Sequence, residues 1–236
     1  MDSLHGENGR TMSGYGQYCP IAKAVEVVGE RWSMLIVREM LVGARHFNVI
    51  ARGLPGISRT LLSSRLRQLE RAGLVERDTG SYLLTPSGRD LAPLVFGLGD
   101  WAQRWILTDP EPEELDPTLL IWWGHTRLHT ELLPDTRTVL EFRFVDHQSR
   151  YWLVVEPSAG TSICQYDPGF GVEAVITTDL LTLHRVWNGR EKFRDALRGE
   201  RIRLNGSGPI VKRLPEVLSI ATLGEMAESA RLAGAP

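Results

Sequence analysis

Residues 55–88 read PGISRTLLSSRLRQLERAGLVERDTGSYLLTPSG. Pro55-Gly56 predicts a tight turn, Ser58 stands where a helix N-cap is expected, and Gly73 where the helix 59–72 should end. The Asp-Thr-Gly-Ser turn at 78–81 lies between two short apolar segments, which is typical of a β-hairpin. The stretch therefore predicts a turn, one helix and a hairpin in close succession.

The helix 59–72 has two chemically different faces. At 100° per residue, Leu62, Leu66 and Leu69 share one face, and small polar residues and arginines occupy the other. A helix with an apolar back and short side chains in front can enter the major groove, where arginines reach base edges or phosphates. A solvated helix face would look similar in isolation. The short helix 45–54 before it and the hairpin after it favour a winged helix-turn-helix. The residues expected to contact DNA are Ser58, Arg59, Thr60, Ser63, Ser64, Arg67, Arg71 and, at the base of the wing, Arg77.

Composition places this helix in a chain of ordinary globular character. The 236 residues are 42% hydrophobic and 24% charged, enough for two modest cores. Residues 45–77 hold seven arginines against Glu70 and Glu76, so positive charge is concentrated there. No apolar run approaches the ~18 residues of a membrane span, and the polar start MDSLHGENGR does not resemble a signal peptide. The two cysteines do not suggest a disulfide scaffold and fit a reducing cytoplasm. No membrane partner is expected.

A linker divides the chain. Residues 108–117, TDPEPEELDP, contain three prolines and five acidic residues and cannot bury themselves. We therefore expect a winged helix-turn-helix domain at 15–107, the linker at 108–117 and a second domain at 118–236.

The first domain resembles a known family. Residues 19–77, CPIAKAVEVVGERWSMLIVREMLVGARHFNVIARGLPGISRTLLSSRLRQLERAGLVER, are similar to the HxlR-type winged helix-turn-helix regulators of bacteria, and the match extends to about 105. Its specific motifs are Cys-Pro at 19–20, Gly-x-x-Trp at 29–32, and the segments 45–58 and 61–77. The resemblance implies a homodimer, held by the N-terminal helix and the helix after the wing, that binds a palindromic operator in double-stranded DNA. In some members the Cys-Pro cysteine senses oxidants, which makes Cys19 a candidate sensor; a small side chain that simply suits this position is the alternative.

The second domain is predicted to be α+β. Strands are expected at 138–146, 150–156, 161–167 and 172–177, then two helices, a strand at 201–208 and a last helix at 209–219. We expect an antiparallel sheet with helices on one face. Residues 179–218 resemble the sterol-carrier-protein-like fold, whose members hold apolar ligands between sheet and helices. Leu140, Phe142, Phe144, Trp152 and Val154 are expected on one sheet face.

A pocket for a small apolar ligand is a hypothesis that this resemblance implies. The aromatic residues that could line it are Trp122, Phe142, Phe144, Trp152, Phe170 and Trp187, although a filled core would use the same residues. Arg143 or His184 could anchor a polar group of the ligand.

Other chemistry finds little support. The sequence lacks a glycine-rich phosphate loop, a nucleophile elbow and a Cys-x-x-Cys pair. His125 and His129 are four apart on an expected helix 118–132, the spacing of a two-histidine metal site, but no third ligand is evident. We therefore expect no metal, no cofactor and no enzyme activity. The leading interpretation is a ligand-modulated transcriptional regulator. The alternatives are a lipid-handling or enzymatic second domain that the winged helix localises, a ligand-free scaffold, and a redox sensor acting through Cys19.

Overall fold

The computed structural model describes residues 14–106, 108–125, 127–206, 208–220 and 222–233. The chain divides into two compact units, one of residues 1–40 and 45–89 and the other of residues 41–44 and 90–236. The first unit carries α1 (Pro20–Val28), α2 (Ser33–Leu41), α3 (Phe47–Arg52), α4 (Arg59–Arg71), β1 (Val75–Asp78), β2 (Ser81–Leu84) and α5 (Pro86–Arg89).

Local signals account for the limits of α4 and the wing. The Ser58 Oγ accepts a hydrogen bond from the Leu61 N–H at 3.2 Å, and Gly73 beyond the helix has a φ of 71°. Thr79 and Gly80 both have positive φ, as a two-residue hairpin turn requires, and β1 pairs antiparallel with β2. The expected helix 59–72 and hairpin are confirmed to within a residue.

A buried ion pair holds α2 to the end of α3. Glu39 is 2% exposed and accepts two hydrogen bonds from Arg38, whose guanidinium also donates to the Gly53 carbonyl at 3.1 Å. A Cβ at Gly53 would lie 1.8 Å from the Glu39 carboxylate, so only glycine fits there. The first of the two helices in the helix-turn-helix is thereby fixed at its C-terminal end.

The second unit carries a five-stranded sheet and the remaining helices of the described residues. Its elements are α6 (Ala92–Trp105), α7 (Pro117–His125), β3 (Thr138–Phe144), β4 (Arg150–Glu156), β5 (Gly160–Cys164), β6 (Ala174–Thr178), α8 (Leu180–Trp187), α9 (Phe193–Arg198), β7 (Ile202–Gly206), α10 (Gly208–Val217) and α11 (Leu223–Ala233), with 3₁₀ turns at Pro112–Glu114 and Thr130–Leu132.

The sheet is mixed, so the expectation of an antiparallel sheet is wrong for one pair of strands. The strand order is β5-β4-β3-β6-β7, and β3 pairs with β6 in parallel. Residues 165–173 carry the chain past β4 to the far side of β3, so that β5 and β6 run in the same direction.

The two faces of this sheet hold different residues, which corrects the expected single face. Directly paired residues project to the same side: Phe142 pairs with Tyr151, whereas Trp152 pairs with Glu141. Phe142, Phe144 and Tyr151 belong to the main core with α7 to α10, and Trp152 clusters with Val139 and Val154 on the opposite face. The expected face is therefore wrong for Trp152 and Val154. Side chains alternate between the two faces along each strand, and only the register of β3 with β4 shows which residues of the two strands share a face.

Helix limits in the second unit also differ from expectation. The helical spacing of apolar residues from Leu91 to Trp105 predicts a single helix over 87–106. The chain instead forms α5 and α6, because Pro93 has no N–H to continue a helix. The expected helix 118–132 ends at His125, so His125 and His129 do not share a helix. Helix α11 was not expected. It packs along α6, and by these contacts α6 groups with the second unit, whereas the sequence pattern placed it before the linker.

Candidate nucleic-acid interface

The polar face of α4 carries several exposed side chains. Leu62, Leu66 and Leu69 are buried beneath it, at most 1% exposed. Helical spacing brings the polar residues of α4 onto one side, which the structure leaves open to solvent. Of the expected DNA contacts, Ser58, Arg59, Thr60, Arg67, Arg71 and Arg77 are exposed, and Ser63 and Ser64 are half-buried.

The exposed arginines of α4 are held in different ways. Arg67 donates to the Ser63 Oγ at 3.0 Å, and Arg71 donates to the Arg67 carbonyl at 3.3 Å. Arg59, at the first turn, instead contacts α3: its guanidinium donates to the Asn48 Oδ1 and lies 5.6 Å from the centre of the Phe47 ring. Asn48 and Phe47 were not singled out from the sequence.

Arg65 has a structural role in spite of its place in the arginine-rich segment. Its side chain is 15% exposed and donates to Glu30 at 2.7 Å, to the Arg31 carbonyl at 3.0 Å and to Gln68 at 2.6 Å. These bonds tie α4 to the loop before α2. Arg65 therefore has few N–H groups left for another partner.

The wing brings a further arginine close to Arg77. Arg77 and Tyr82 are paired across the hairpin, with the guanidinium 5.6 Å from the ring centre. The Tyr82 N–H donates to the Arg45 carbonyl at 2.7 Å, so the segment before α3 adjoins β2. The sequence indicated only that the exposed Arg45 adds positive charge, not that it lies beside the wing. The hydrogen bond that places it there joins distant segments, so no local sequence pattern predicts it.

Cys19 is the N-cap residue of α1 and is half-buried. Its side chain makes no capping hydrogen bond, and Pro20 follows at the first helical position. Cys164, the other cysteine, lies on β5 beside the cluster of Trp152, far from Cys19 in sequence, and both thiols are free.

The six aromatic residues expected around a ligand do not line one cavity. Phe142, Phe144 and Trp187 are buried in the main core. Trp122 is half-buried on α7, its ring 4.6 Å from that of His125. Trp152 lies on the opposite face of the sheet, and the Phe170 ring lies against the Arg137 guanidinium, 3.9 Å from the ring centre. Of the six, the structure thus brings together only those in the core between the sheet and the helices, Phe142, Phe144 and Trp187.

Trp187 has an unusual environment within that subset. Its indole N–H is buried without a hydrogen-bond partner among the described residues. Its six-membered ring packs so closely on α7 that a Cβ at Gly124 would lie 2.3 Å from it. A buried donor of this kind is a place where an oxygen atom of a water or small molecule would be stabilised.

A polar chain joins α8 to α6 within the second unit. The Gln103 amide donates to the Asn188 carbonyl at 3.0 Å, and the Asn188 amide lies 2.6 Å from the His184 Nδ1. Burial lowers the pKa of His184; the nearby Glu114 opposes this shift and Arg190 adds to it. Burial therefore disfavours the protonated ring of His184 at the junction of these helices.

Neither a metal-binding cluster nor a membrane-spanning helix occurs among the described residues. No group of three or more His, Cys, Asp or Glu side chains there is placed to hold a metal ion. No helix in the same residues combines the length and apolarity needed to cross a bilayer.

An exposed Arg- and Ser-rich helix face after a tight turn, followed by a wing with an arginine at its base, defines a winged helix-turn-helix DNA-binding domain. A model described as HxlR-like helix-turn-helix matches residues 27–110. The HTH-type transcriptional regulator YvaP of Bacillus subtilis is 38% identical over 108 residues, which cover 42% of this chain and 96% of that protein. The chain belongs to the HxlR-like helix-turn-helix family.

Other similarities cover a comparable part of the chain. An HTH-type transcriptional regulator of Mycobacterium tuberculosis is 42% identical over 100 residues, and the match spans 39% of this chain and 61% of that relative, under two thirds of its length. Among solved structures, quinone-bound YodB from B. subtilis is 33% identical with a TM-score of 0.35, covering 37% of this chain and all of that one. The oxidized form of the redox regulator HypR is 30% identical with a TM-score of 0.36, covering 38% of this chain and all of that one.

Proposed function

We propose that this HxlR-family regulator acts as a homodimer on a palindromic operator, with helix α4 of each copy in the major groove. The observation that carries the proposal is the exposed face of α4, where Arg59, Arg67 and Arg71 accompany small hydroxyl side chains above a buried leucine face. Short side chains let the helix backbone approach the bases, and arginine guanidinium groups match the acceptors of guanine and phosphate.

The wing supplies contacts of another kind. Arg77 is exposed at the hairpin, beside Tyr82, and is suited to a phosphate next to the groove. Such contacts add affinity without reading sequence. In a dimer the two α4 helices would enter successive major grooves about 34 Å apart, which makes the site a palindrome.

Two helices support the homodimer. Helix α1 has an apolar sequence but no buried residue. Helix α6 packs on α11 along one side and exposes a row of apolar side chains on the other: Leu94, Leu98, Trp101 and Trp105, which are 50–75% exposed. An apolar patch of this size on a chain's surface is typical of an interface, and a second copy would cover both helices.

We assign the second unit the role of an effector domain for a small apolar molecule. Support comes from the buried indole N–H of Trp187, a donor without a described partner beside an apolar core. The core around Phe142 and Leu183 is closely packed, so a ligand would have to displace part of the α7–α8 layer from the sheet. The polar chain from His184 to Gln103 offers a route by which such a displacement would reach α6.

Three other roles remain distinct proposals. A second unit that binds ligand without altering DNA affinity would be a carrier or an enzyme that the winged helix localises; one that binds nothing would be a scaffold. A regulator that responds to oxidants through Cys19 is favoured only by its place at the N-cap of α1. The leading role needs no catalytic group and would be exercised in the cytoplasm, where chromosomal DNA lies.

Gel-shift titration of the full chain tests the proposal. The DNA flanking its own gene should be shifted at lower protein concentration than a scrambled duplex of the same length. Tryptophan fluorescence is then titrated with fatty acids, sterol-like and polyketide-like compounds, and DNA binding is repeated with each hit. Saturable binding that changes DNA affinity supports an effector domain, and saturable binding without such a change makes the second unit a carrier. A chain that binds no DNA under any condition would refute the proposal.

A further inference from the structure

Arg59 differs from the other exposed arginines of α4 because a second helix holds it. Its guanidinium donates one hydrogen bond to the Asn48 Oδ1 and lies over the ring of Phe47. Both residues belong to the first turn of α3, whose N-cap is His46. Arg67 and Arg71, in contrast, bond only to atoms of α4 in the described contacts.

These contacts leave Arg59 oriented but available. A guanidinium has five N–H groups in one plane, and the bond to Asn48 uses one of them. The residue remains exposed at the first position of α4, immediately after the Ser58 cap. Recognition helices of this class contact base edges with their N-terminal residues.

Fixing an arginine before DNA arrives has a thermodynamic consequence. A free arginine side chain loses rotamer entropy when it is immobilised. A side chain already held in its bound orientation loses less, so more of its interaction energy appears as affinity and geometric discrimination. A mobile arginine of equal charge can instead move to the nearest phosphate, where it adds affinity without reading a base.

We propose that Asn48 is a positioning residue that sets the base preference of the operator by holding Arg59 against α3. This inference rests on the proposed function, because it assumes that α4 lies in the major groove. It assigns α3 a part in sequence recognition in addition to its support of the turn. Asn48 itself need not touch DNA.

The test is a double-mutant cycle on a defined probe. The probe is a duplex selected by the wild-type full chain from a random library, together with a set of duplexes substituted at each half-site position. Affinities are measured for the wild type, Asn48→Ala, Arg59→Ala and the double variant. Arg71→Ala serves as a matched control, since Arg71 is equally exposed but contacts only its own helix.

Asn48→Ala should weaken binding to the selected duplex by roughly fivefold to tenfold. Binding to unrelated DNA should be unchanged, so the preference at one half-site position is reduced. In the Arg59→Ala background, the second substitution should add less than about twofold. Arg71→Ala should weaken both kinds of DNA alike.

Three results would contradict either the role of Asn48 or the proposed function, and they can be told apart. If Asn48→Ala has the same effect with and without Arg59, or lowers specific and non-specific binding equally, Asn48 does not position a base contact. If its only effect is a lower unfolding temperature, its bond to Arg59 is structural and the inference is wrong. If Arg59→Ala and Arg67→Ala also leave all DNA binding unchanged, the proposed function itself fails.

Discussion

Single arginines of the recognition helix and of the wing should affect DNA binding in different ways. Arg67→Ala should cost about 1–3 kcal/mol on the preferred duplex if the side chain reads a base, and should relax preference at that position. Arg77→Ala should weaken all duplexes similarly and make the slope of log K against log salt shallower by about 1. Binding isotherms from 50 to 300 mM salt measure both. Arg194→Ala, an exposed arginine on α9, is the charge-matched control.

Neither substitution is expected to unfold the protein, because both side chains are exposed. If Arg67→Ala weakens binding to every duplex equally, Arg67 contacts a phosphate and not a base. If Arg77→Ala leaves the salt slope unchanged, Arg77 does not contact a DNA phosphate.

His184 makes the stability of the second unit depend on pH. Its pKa in the folded chain is below the ordinary 6.5 because burial disfavours the charged ring. The unfolded chain then binds more protons in the window below about 6.5, so the free energy of unfolding falls as the pH falls through it. His184→Gln should flatten this dependence between pH 7 and 5 in denaturant titrations. An unchanged slope in His184→Gln would contradict the assignment.

At the scale of elements, the exposed side of α6 should hold the dimer together. Leu98→Glu places a charge in the centre of the apolar row, and burying it without a partner is unfavourable. The variant should sediment as a monomer at concentrations where the wild type is a dimer, and should lose most of its DNA affinity. Tyr166→Glu, on an exposed aromatic residue elsewhere in the second unit, is the control. A Leu98→Glu chain that remains dimeric would move the interface to α1 or elsewhere.

The contact between α7 and α8 permits no side chain at position 124. A Cβ there would meet the Trp187 ring at 2.3–2.4 Å, and that ring is buried on all sides. Gly124→Ala should therefore lower the free energy of unfolding by about 1–3 kcal/mol, in spite of the higher helix propensity of alanine. Gly171→Ala has open space around it and should change stability by less than about 0.5 kcal/mol. A neutral Gly124→Ala would mean that the layer of α7 and α8 is loose enough to admit a ligand.

Local sequence signals predicted the elements that depend on local contacts. Ser58 and Gly73 mark the two ends of α4, and Asp-Thr-Gly-Ser marks the turn of the wing, because caps and turns are stabilised by neighbours in the chain. A local signal also predicts α11. Thr222 and Glu225 form a reciprocal capping box, and the sequence pattern Thr-x-x-Glu is typical of such a helix start.

Features that depend on pairing between distant segments were not predictable in this way. The parallel pairing of β3 with β6, and the opposite faces of Phe142 and Trp152, follow from strand order and register. Periodicity shows that side chains alternate but not which alternate set faces the helices. Asn48 and Arg59 are eleven residues apart in sequence, and the hydrogen bond between them likewise depends on how α3 and α4 pack.

On the scale of the whole molecule, α6 connects the proposed dimer to the proposed effector domain. One side of α6 contacts α11 and, through Gln103, the end of α8, and the other side is exposed. A ligand can alter operator affinity only if it binds two arrangements of the dimer with different affinities, and couplings of this kind are typically about 1–3 kcal/mol. A change in the packing of α8 would reach α6 through Gln103, and it would reach residues 108–117 through the ion pair of Arg185 with Asp109.

Selection of duplex DNA by the purified full chain tests the central claim most directly. Random duplexes are bound, recovered and sequenced over several rounds, with Arg67→Ala carried through in parallel. The account predicts enrichment of a palindrome whose half-sites are about one helical turn, 10–10.5 base pairs, apart, and loss of that enrichment in Arg67→Ala. A wild-type chain that enriches no sequence, or enriches an asymmetric one equally well in Arg67→Ala, would contradict a dimer that reads DNA with α4.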